Sequence, residues 1–286
     1  MSSSPLATPS ATLAVLKRHG LYTKKSLGQH FLIDDNIVDR ILLLAAIRPD
    51  DVVLEVGPGI GTLTIALAGA ARSVIAVEQD AGLLPVLAEI TAASSGLVIV
   101  GADAVTVPVS ELIDGDGRPP LSLVANLPYG VAATVVLRYF QEIDSLRDAT
   151  VMVQFEVAGR MAAVPRTKSY GAYTVKLGLL ARAVEKFPVP RDCFLPPPHV
   201  DSAVIRLERV VRPESGEVLT AAGRVADAAF AQRRKTIRNS LRATIGAAVD
   251  VDALLSGAGV DPGTRAEALD VDTYVRMGAV MCSLVP

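Results

Sequence analysis

Seven short apolar runs, at residues 52–56, 73–78, 97–100, 121–125, 150–154, 183–187 and 202–209, punctuate the chain, and stretches of helical periodicity at 36–46, 62–70, 82–91, 132–140 and 173–181 separate most of them. This alternation predicts an α/β doubly wound sheet, because strands joined by helix-length crossovers come out parallel and need a helical layer on each face. The run Val74-Ile75-Ala76-Val77 has no polar side to turn toward water, which suits a strand covered on both faces. A proline-rich stretch, 188–198, joins the last two runs and is too short and stiff for a helix, so the final strand is expected to return antiparallel. From 211 to 220 the chain turns polar, as a linker does, and the patterns at 221–232, 235–243, 251–255 and 273–283 predict a small helical bundle. The expected division is a flexible tail over 1–23, an α/β domain over 24–210 and a helical domain over 211–286.

Composition narrows the possible functions. Half of the 286 residues are apolar, enough for a sizeable core, yet no uninterrupted apolar window is long enough to cross a bilayer. The opening residues are rich in Ser, Pro and Ala, lack the order of a secretory signal and read as a frayed tail. Cys193 and Cys282 stand far apart with no Cys-x-x-Cys pair, so neither a disulfide framework nor a metal site is expected, and a reducing cytoplasm fits. Basic and acidic residues nearly balance, 28 against 30, but binding a polyanion depends on local patches, and here the basic residues cluster. One group is Lys17, Arg18, Lys24 and Lys25; a denser one is Arg233, Arg234, Lys235, Arg238 and Arg242.

The first predicted strand ends in Glu55-Val56-Gly57-Pro58-Gly59-Ile60-Gly61 and leads into a helix. Glycines at a strand-to-helix turn let a ligand approach backbone that side chains would otherwise block. The spacing is not the dinucleotide fingerprint: the third glycine comes one residue early and Thr62 occupies its usual place. Glu78, at the end of the next strand, is positioned to accept from both hydroxyls of a ribose, and Asp103, past the third strand, from an adenine amino group. With no diphosphate to bind, the site need not be anion-seeking, which suits an adenosyl sulfonium.

Asn126-Leu127-Pro128-Tyr129 follows the fourth predicted strand. An aromatic amino nitrogen is a poor nucleophile because its lone pair is delocalised into the ring. Two acceptors gripping its N–H bonds, the Asn126 side-chain carbonyl and the Leu127 main-chain carbonyl, favour a more pyramidal nitrogen without a strong base. Pro128 stiffens the turn so that the two oxygens converge. Tyr129 can stack on the base, a contact worth about 1–3 kcal/mol, and Phe194 is expected on the opposite face. The chemistry indicated is methyl transfer to the amino nitrogen of adenine.

From Lys24 to its C-terminus the chain resembles the small-subunit ribosomal RNA adenine dimethyltransferases. The likeness rests on Lys24-Lys25-Ser26-Leu27-Gly28-Gln29-His30-Phe31-Leu32-Ile33-Asp34, on the glycine turn, on Asn126 to Tyr129, on the proline-rich run from Phe194 to Ser202, and on Gln232-Arg233-Arg234-Lys235-Thr236-Ile237-Arg238-Asn239-Ser240-Leu241. The resemblance implies a class I methyltransferase sheet of seven strands, the last antiparallel, with a small C-terminal helical domain. It implies S-adenosyl-L-methionine as methyl donor, held by His30, Leu32, Gly57, Gly59, Glu78, Asp103 and Asn126. His30 departs from the asparagine frequent in that family. The implied reaction dimethylates N6 of two adjacent adenosines in a 3′-terminal hairpin loop of 16S rRNA during ribosome biogenesis. The implied partner is the small ribosomal subunit, with Arg233, Arg234, Lys235 and Arg238 binding RNA. Nothing in the sequence calls for an obligate interface, so a cytoplasmic monomer is expected.

Overall fold

The apolar runs become strands in the computed structural model, which describes residues 3–21 and 29–284. Its strands are β1 (Phe31–Leu32), β2 (Val52–Val56), β3 (Ser73–Glu78), β4 (Leu97–Gly101), β5 (Ser122–Asn126), β6 (Asp148–Gln154), β7 (Ala181–Val189), β8 (Phe194–Leu195) and β9 (Ser202–Arg209). Seven of them form one sheet in the order β4-β3-β2-β5-β6-β9-β7. β4, β3, β2, β5 and β6 run parallel, and β9 returns antiparallel to β6, with Gln154 opposite Ser202. β2 and β3 are buried along their whole length, as strands covered on both faces must be. Pro188, which lacks a donor for the ladder, is tolerated because β7 is the edge strand.

Sheet order reverses direction between β2 and β5: β3 and β4 build outward on one side, β5 and β6 on the other. A doubly wound sheet opens a crevice at such a point, outside the carboxyl ends of the strands. The Glu55–Gly61 turn and the Asn126 turn both lie there.

The helices are α1 (Pro9–Arg18), α2 (Asp35–Ala45), α3 (Thr62–Ala70), α4 (Leu84–Ile90), α5 (Ala132–Glu142), α6 (Phe155–Met161), α7 (Ala172–Gly178), α8 (Gly216–Phe230), α9 (Ile237–Thr244), α10 (Val251–Gly257) and α11 (Val271–Leu284). Ile37, Val38 and Ile41 of α2 and Leu63 and Leu67 of α3 pack with Val53, Val74, Val124 and Met152 of the sheet. Burying each such side chain contributes about 1.5–3 kcal/mol. Among the described residues no helix is long and apolar enough to cross a membrane.

Two expectations need correction. The N-terminal tail is not frayed over its described part. Thr8 caps α1 by accepting from the Ala11 N–H, Pro9 takes a first-turn position where its missing N–H costs nothing, and Val15 and Leu16 pack with Phe31, Ile60 and Val86. The linker is also shorter than expected, because Ser215 caps α8 through the Val218 N–H and the helix begins at Gly216.

The chain separates into two compact units: residues up to Ala158 with Ala183–Arg209, and Gly159–Arg182 with the chain from Val210 onward. The sequence division at 210/211 lies within one residue of a junction between them, but the segment Gly159–Arg182 belongs with the C-terminal helices. In that second unit Tyr170 and Val175 share a core with Val225, Ile237, Leu254, Tyr274 and Met277.

Gly278 of α11 shows how closely the helices of this unit approach. A Cβ there would lie 2.5 Å from the Val218 carbonyl oxygen and 2.7 Å from the Ala222 nitrogen of α8. On an isolated helix Gly→Ala stabilises by about 1 kcal/mol, but overpacking against backbone costs about 1–3 kcal/mol. Gly278→Ala should therefore lower the urea midpoint of the helical unit; a raised midpoint would show that α8 and α11 have room between them.

Candidate active site

The carboxyl end of β2 runs into Gly57 and Gly59, both left-handed, with φ of 70° and 61°. Crowding adds to the conformational demand. A Cβ on Gly57 would lie 3.2 Å from the Pro128 ring, and one on Gly59 would lie 3.1 Å from the Phe31 ring. The bare turn borders a cavity of about 490 Å³ that Glu55, Gly57, Glu78, Asp103, Asn126 and Tyr129 help to line. Its size suits a small organic ligand.

Acidic groups surround the turn. Glu78 accepts from the Asp80 N–H at 2.8 Å and from the Gly59 N–H at 3.2 Å, one bond to each carboxylate oxygen. Both oxygens belong to a side chain that lines the cavity, where a carboxylate can accept from a ligand hydroxyl. Burial lifts the Glu78 pKa above the ordinary carboxylate value in spite of these bonds. Asp103 uses one oxygen to accept from the Val105 N–H at 2.8 Å, leaving the other to receive a donor. Glu55 is only 1% exposed, and its Oε2 has no hydrogen-bond partner among the described residues. Burial, with the nearby Glu78 charge adding to it, raises its pKa to about 8, so at neutral pH it is a neutral acid in the cavity wall.

The second turn is held from three directions. The Asn126 Nδ2 donates to the His30 carbonyl at 3.2 Å. Only nitrogen can donate there, so this bond assigns the amide orientation and leaves Oδ1 as an acceptor with no partner among the described residues. Leu127 donates its N–H to the Met152 carbonyl, and the Pro128 carbonyl accepts from Val131 and Ala132, opening α5. The Tyr129 hydroxyl lies 2.6 Å from Ser202 Oγ, and the tyrosine ring stacks on His30 at 5.6 Å between centroids. His30 Nδ1 donates to the Pro196 carbonyl at 2.7 Å, since a carbonyl can only accept. His30 thus ties the segment before β1, the Asn126 turn and the proline-rich loop together.

Of the residues read from the sequence, His30, Leu32, Gly57, Gly59, Glu78, Asp103, Asn126, Leu127, Pro128 and Tyr129 all line this one cavity. Phe194 does not, and the expectation that it offers a second stacking face is corrected. It is 1% exposed and packs among Ile41, Val189 and Val204, because β8 pairs with β1 and sets Phe194 opposite Leu32. Lys24 and Lys25 lie outside the described residues. Sequence reading missed Ser202 as the partner of Tyr129, as well as the neutral Glu55.

The basic cluster divides into two kinds of residue. The Arg233 guanidinium donates to the Lys168 and Tyr170 carbonyls at 2.8 and 2.7 Å and faces Glu267 at 3.7 Å. Arg238 and Arg242 both pair with Asp252. Arg234 and Lys235 are exposed and, among the described residues, carry no ion pair. Arg233 holds a loop on which Arg166 and Lys168 are exposed, two cations that the sequence reading did not select.

Comparisons with known proteins agree with this geometry. Residues 20–281 match the family model described as ribosomal RNA adenine dimethylase. The ribosomal RNA small subunit methyltransferase A of Rhodococcus opacus is 43% identical over 282 residues, which cover 96% of this chain and 94% of the relative. Among solved structures, the 23S rRNA methyltransferase ErmE is 32% identical with a TM-score of 0.64, covering 88% of this chain and 99% of that one. A dimethyladenosine transferase from Plasmodium falciparum has the same fold, with a TM-score of 0.72 at 21% identity, covering 87% of this chain and 96% of its own.

The buried Glu55 makes stability depend on pH. The folded chain holds this proton to about pH 8, whereas the unfolded chain releases it near the ordinary value of 4.5. Between those values the native state binds more protons, so its stability falls as pH rises. Glu55→Gln removes the dependence. Urea midpoints of the variant should therefore gain on those of the parent from pH 5 upward and level off above about 8. A difference that stays constant with pH would mean that Glu55 ionises normally in the fold.

Proposed function

This chain belongs to the ribosomal RNA adenine dimethylase family, and from that premise we propose that it transfers methyl groups from S-adenosylmethionine to N6 of two adjacent adenosines in a 3′-terminal hairpin loop of small-subunit rRNA. The observation that carries this reading is the meeting, in one cavity, of a bare glycine turn flanked by Glu78 and Asp103 with the Asn126–Tyr129 turn. The Rhodococcus relative, named for the small subunit, is more similar in sequence than the 23S enzyme, at 43% against 32% identity.

The residues present fit an adenosyl sulfonium. Glu78 lines the cavity as an acceptor for a ribose diol, Asp103 has an oxygen without a partner among the described residues for an exocyclic amine, and the glycine turn offers close backbone approach. His30 and Leu32 close the same cavity from the N-terminal side. S-adenosylmethionine, when bound, supplies an electrophilic methyl group. Asn126 Oδ1 and the Leu127 carbonyl grip the amino hydrogens of the target, which raises the nucleophilicity of its nitrogen. Pro128, packed on Gly57, keeps the two acceptors convergent, and Tyr129 stacks on the base. No strong base is needed, because the proton becomes acidic only as the N–C bond forms.

In this reading the sheet-bearing unit carries out methyl transfer and the helical unit grips rRNA, with Arg234 and Lys235 on phosphates. Arg233 and Arg238, each engaged within its own unit, support that surface instead of forming it. The enzyme acts as a monomer in the cytoplasm, where ribosomal subunits assemble.

The deciding experiment incubates the purified protein and S-adenosylmethionine with unmethylated small and large subunits, then weighs the adenosines of the digested RNA. Dimethyladenosine from the small subunit alone is expected. The same product from the large subunit alone would assign the chain to the chemistry named for ErmE. In this assay Asn126→Ala should cut kcat by at least ~10²-fold, the usual loss of a pre-organised polar group. It should leave S-adenosylmethionine affinity within about tenfold, or ~1.4 kcal/mol; equal loss of both would make Asn126 a ligand for the methyl donor alone.

Reversing both free cations, Arg234→Glu with Lys235→Glu, should weaken subunit binding and lower its log–log salt slope by about one for each phosphate that is no longer neutralised. Affinity for S-adenosylmethionine should not change. An unaltered slope would move the RNA surface elsewhere.

A further inference from the structure

Phe155 is an exposed aromatic residue that neither the core nor the site described above accounts for. Its side chain is 55% exposed, and it stands one position beyond the carboxyl end of β6, at the opening of α6. β6 neighbours β5 in register, Met152 beside Asn126, so Phe155 emerges at the same edge of the sheet as the Asn126 turn. Its N–H donates to the Asp201 carbonyl at 3.0 Å. The next residue, Ser202, lies opposite Gln154 and holds the Tyr129 hydroxyl at 2.6 Å. A short hydrogen-bonded path therefore links the tyrosine of the cavity rim to the backbone of Phe155, and Val200 in the intervening loop is also largely exposed. Single exposed apolar residues are common on protein surfaces. Here, however, Phe155 and Val200 both lie within two residues of the Gln154–Ser202 pair, at the sheet end where Asn126 and Tyr129 line the cavity.

On the reading that this chain methylates a base in RNA, which this inference rests on, we infer that Phe155 forms a second base subsite that stacks the nucleobase next to the target adenine. Extruding one base strips its chain neighbour of a stacking partner, and RNA-binding proteins meet unstacked bases with aromatic side chains. A phenyl ring makes no hydrogen bonds to base edges, so the subsite accepts a flanking base by its π-face and holds the RNA strand in register while Asn126 grips the target. Phe155 is a binding and positioning residue, apart from the groups that touch the reacting nitrogen.

The test compares Phe155→Ala, Phe155→Leu and Phe155→Trp with the parent chain, on unmethylated small subunits. Stacking losses on alanine substitution correspond to roughly 5- to 150-fold in affinity. Phe155→Ala should raise KM for the subunit within that range, with kcat and S-adenosylmethionine affinity little changed. Phe155→Leu should be equally impaired, because it restores apolar bulk without a π-face, and Phe155→Trp should return KM to the parent value. Full rescue by Leu, or an Ala variant with the parent's KM, would overturn the subsite and leave the methyltransferase reading intact. If the parent chain methylated neither ribosomal subunit, that reading would fail and the subsite with it. A fall in thermal midpoint or in S-adenosylmethionine affinity that matched the KM effect would show Phe155 to be structural and likewise overturn the proposal.

Discussion

The site depends on bare backbone at the carboxyl end of β2. Pro128 rests on Gly57 and Phe31 on Gly59, each at a distance that a methyl group would close. The Gly59 N–H also donates to Glu78. One short turn therefore sets the position of the N-terminal segment, of the loop after β5 and of the acid after β3. These three parts are remote in sequence; His30 ties the first to the second, and Gln29, donating to Asp80, ties the first to the third. A side chain at Gly57 or Gly59 would have to displace a ring, and at Gly59 the hydrogen bond that orients Glu78 would move with it. This explains why residues from so many elements share one cavity in a fold whose parallel strands are joined by separate crossovers.

The electrostatics of that cavity follow from the same arrangement. Glu55 and Glu78 end neighbouring parallel strands, buried and close enough that the charge of Glu78 helps to raise the pKa of Glu55. Two bare carboxylates in so little water would repel, and the fold relieves this by treating them differently. Glu78 receives two backbone N–H donors, whereas Glu55 has an oxygen unpartnered among the described residues and keeps its proton at neutral pH. The cavity wall thus presents one acid held by backbone donors and one that keeps its proton, a difference in environment of the kind that marks functional sites.

The sequence revealed features with strong local signals and hid those created by tertiary pairing. Strands 52–56, 73–78 and 202–209 were legible to the residue, because short apolar runs rich in Val and Ile, entered from a polar residue, are too short for a helix. The two glycine- and proline-bearing turns were legible for the same reason: backbone constraints are written in residue identity. β1 and β8 were not, since two-residue strands carry no period, and without that pairing nothing foretold the burial of Phe194 opposite Leu32. α1 was hidden by composition: Ser, Thr and Pro read as disorder when counted, but as a capped helix start when ordered Thr8-Pro9. The association of Gly159–Arg182 with the C-terminal helices also has no local mark; it rests on Tyr170 and Val175 meeting side chains far along the chain.

The basic cluster carries the same lesson into energetics. A chain with 28 basic and 30 acidic residues has no net attraction for a polyanion, so attraction must come from local positive surface, and cations without an acidic partner contribute most to it. Counting Arg233, Arg234, Lys235, Arg238 and Arg242 together overstates that number. Asp252 engages two of them, and two backbone carbonyls engage a third. The engaged arginines still matter, because planar guanidinium forks hold geometry better than they hold charge in reserve. Arg233 braces the loop that carries Arg166 and Lys168, so one side chain spent on structure orders a loop bearing two exposed cations. Positive surface in this unit is thus a product of folding: the cations that sequence clustering emphasises do the bracing, and part of the free charge comes from a segment some 65 residues upstream.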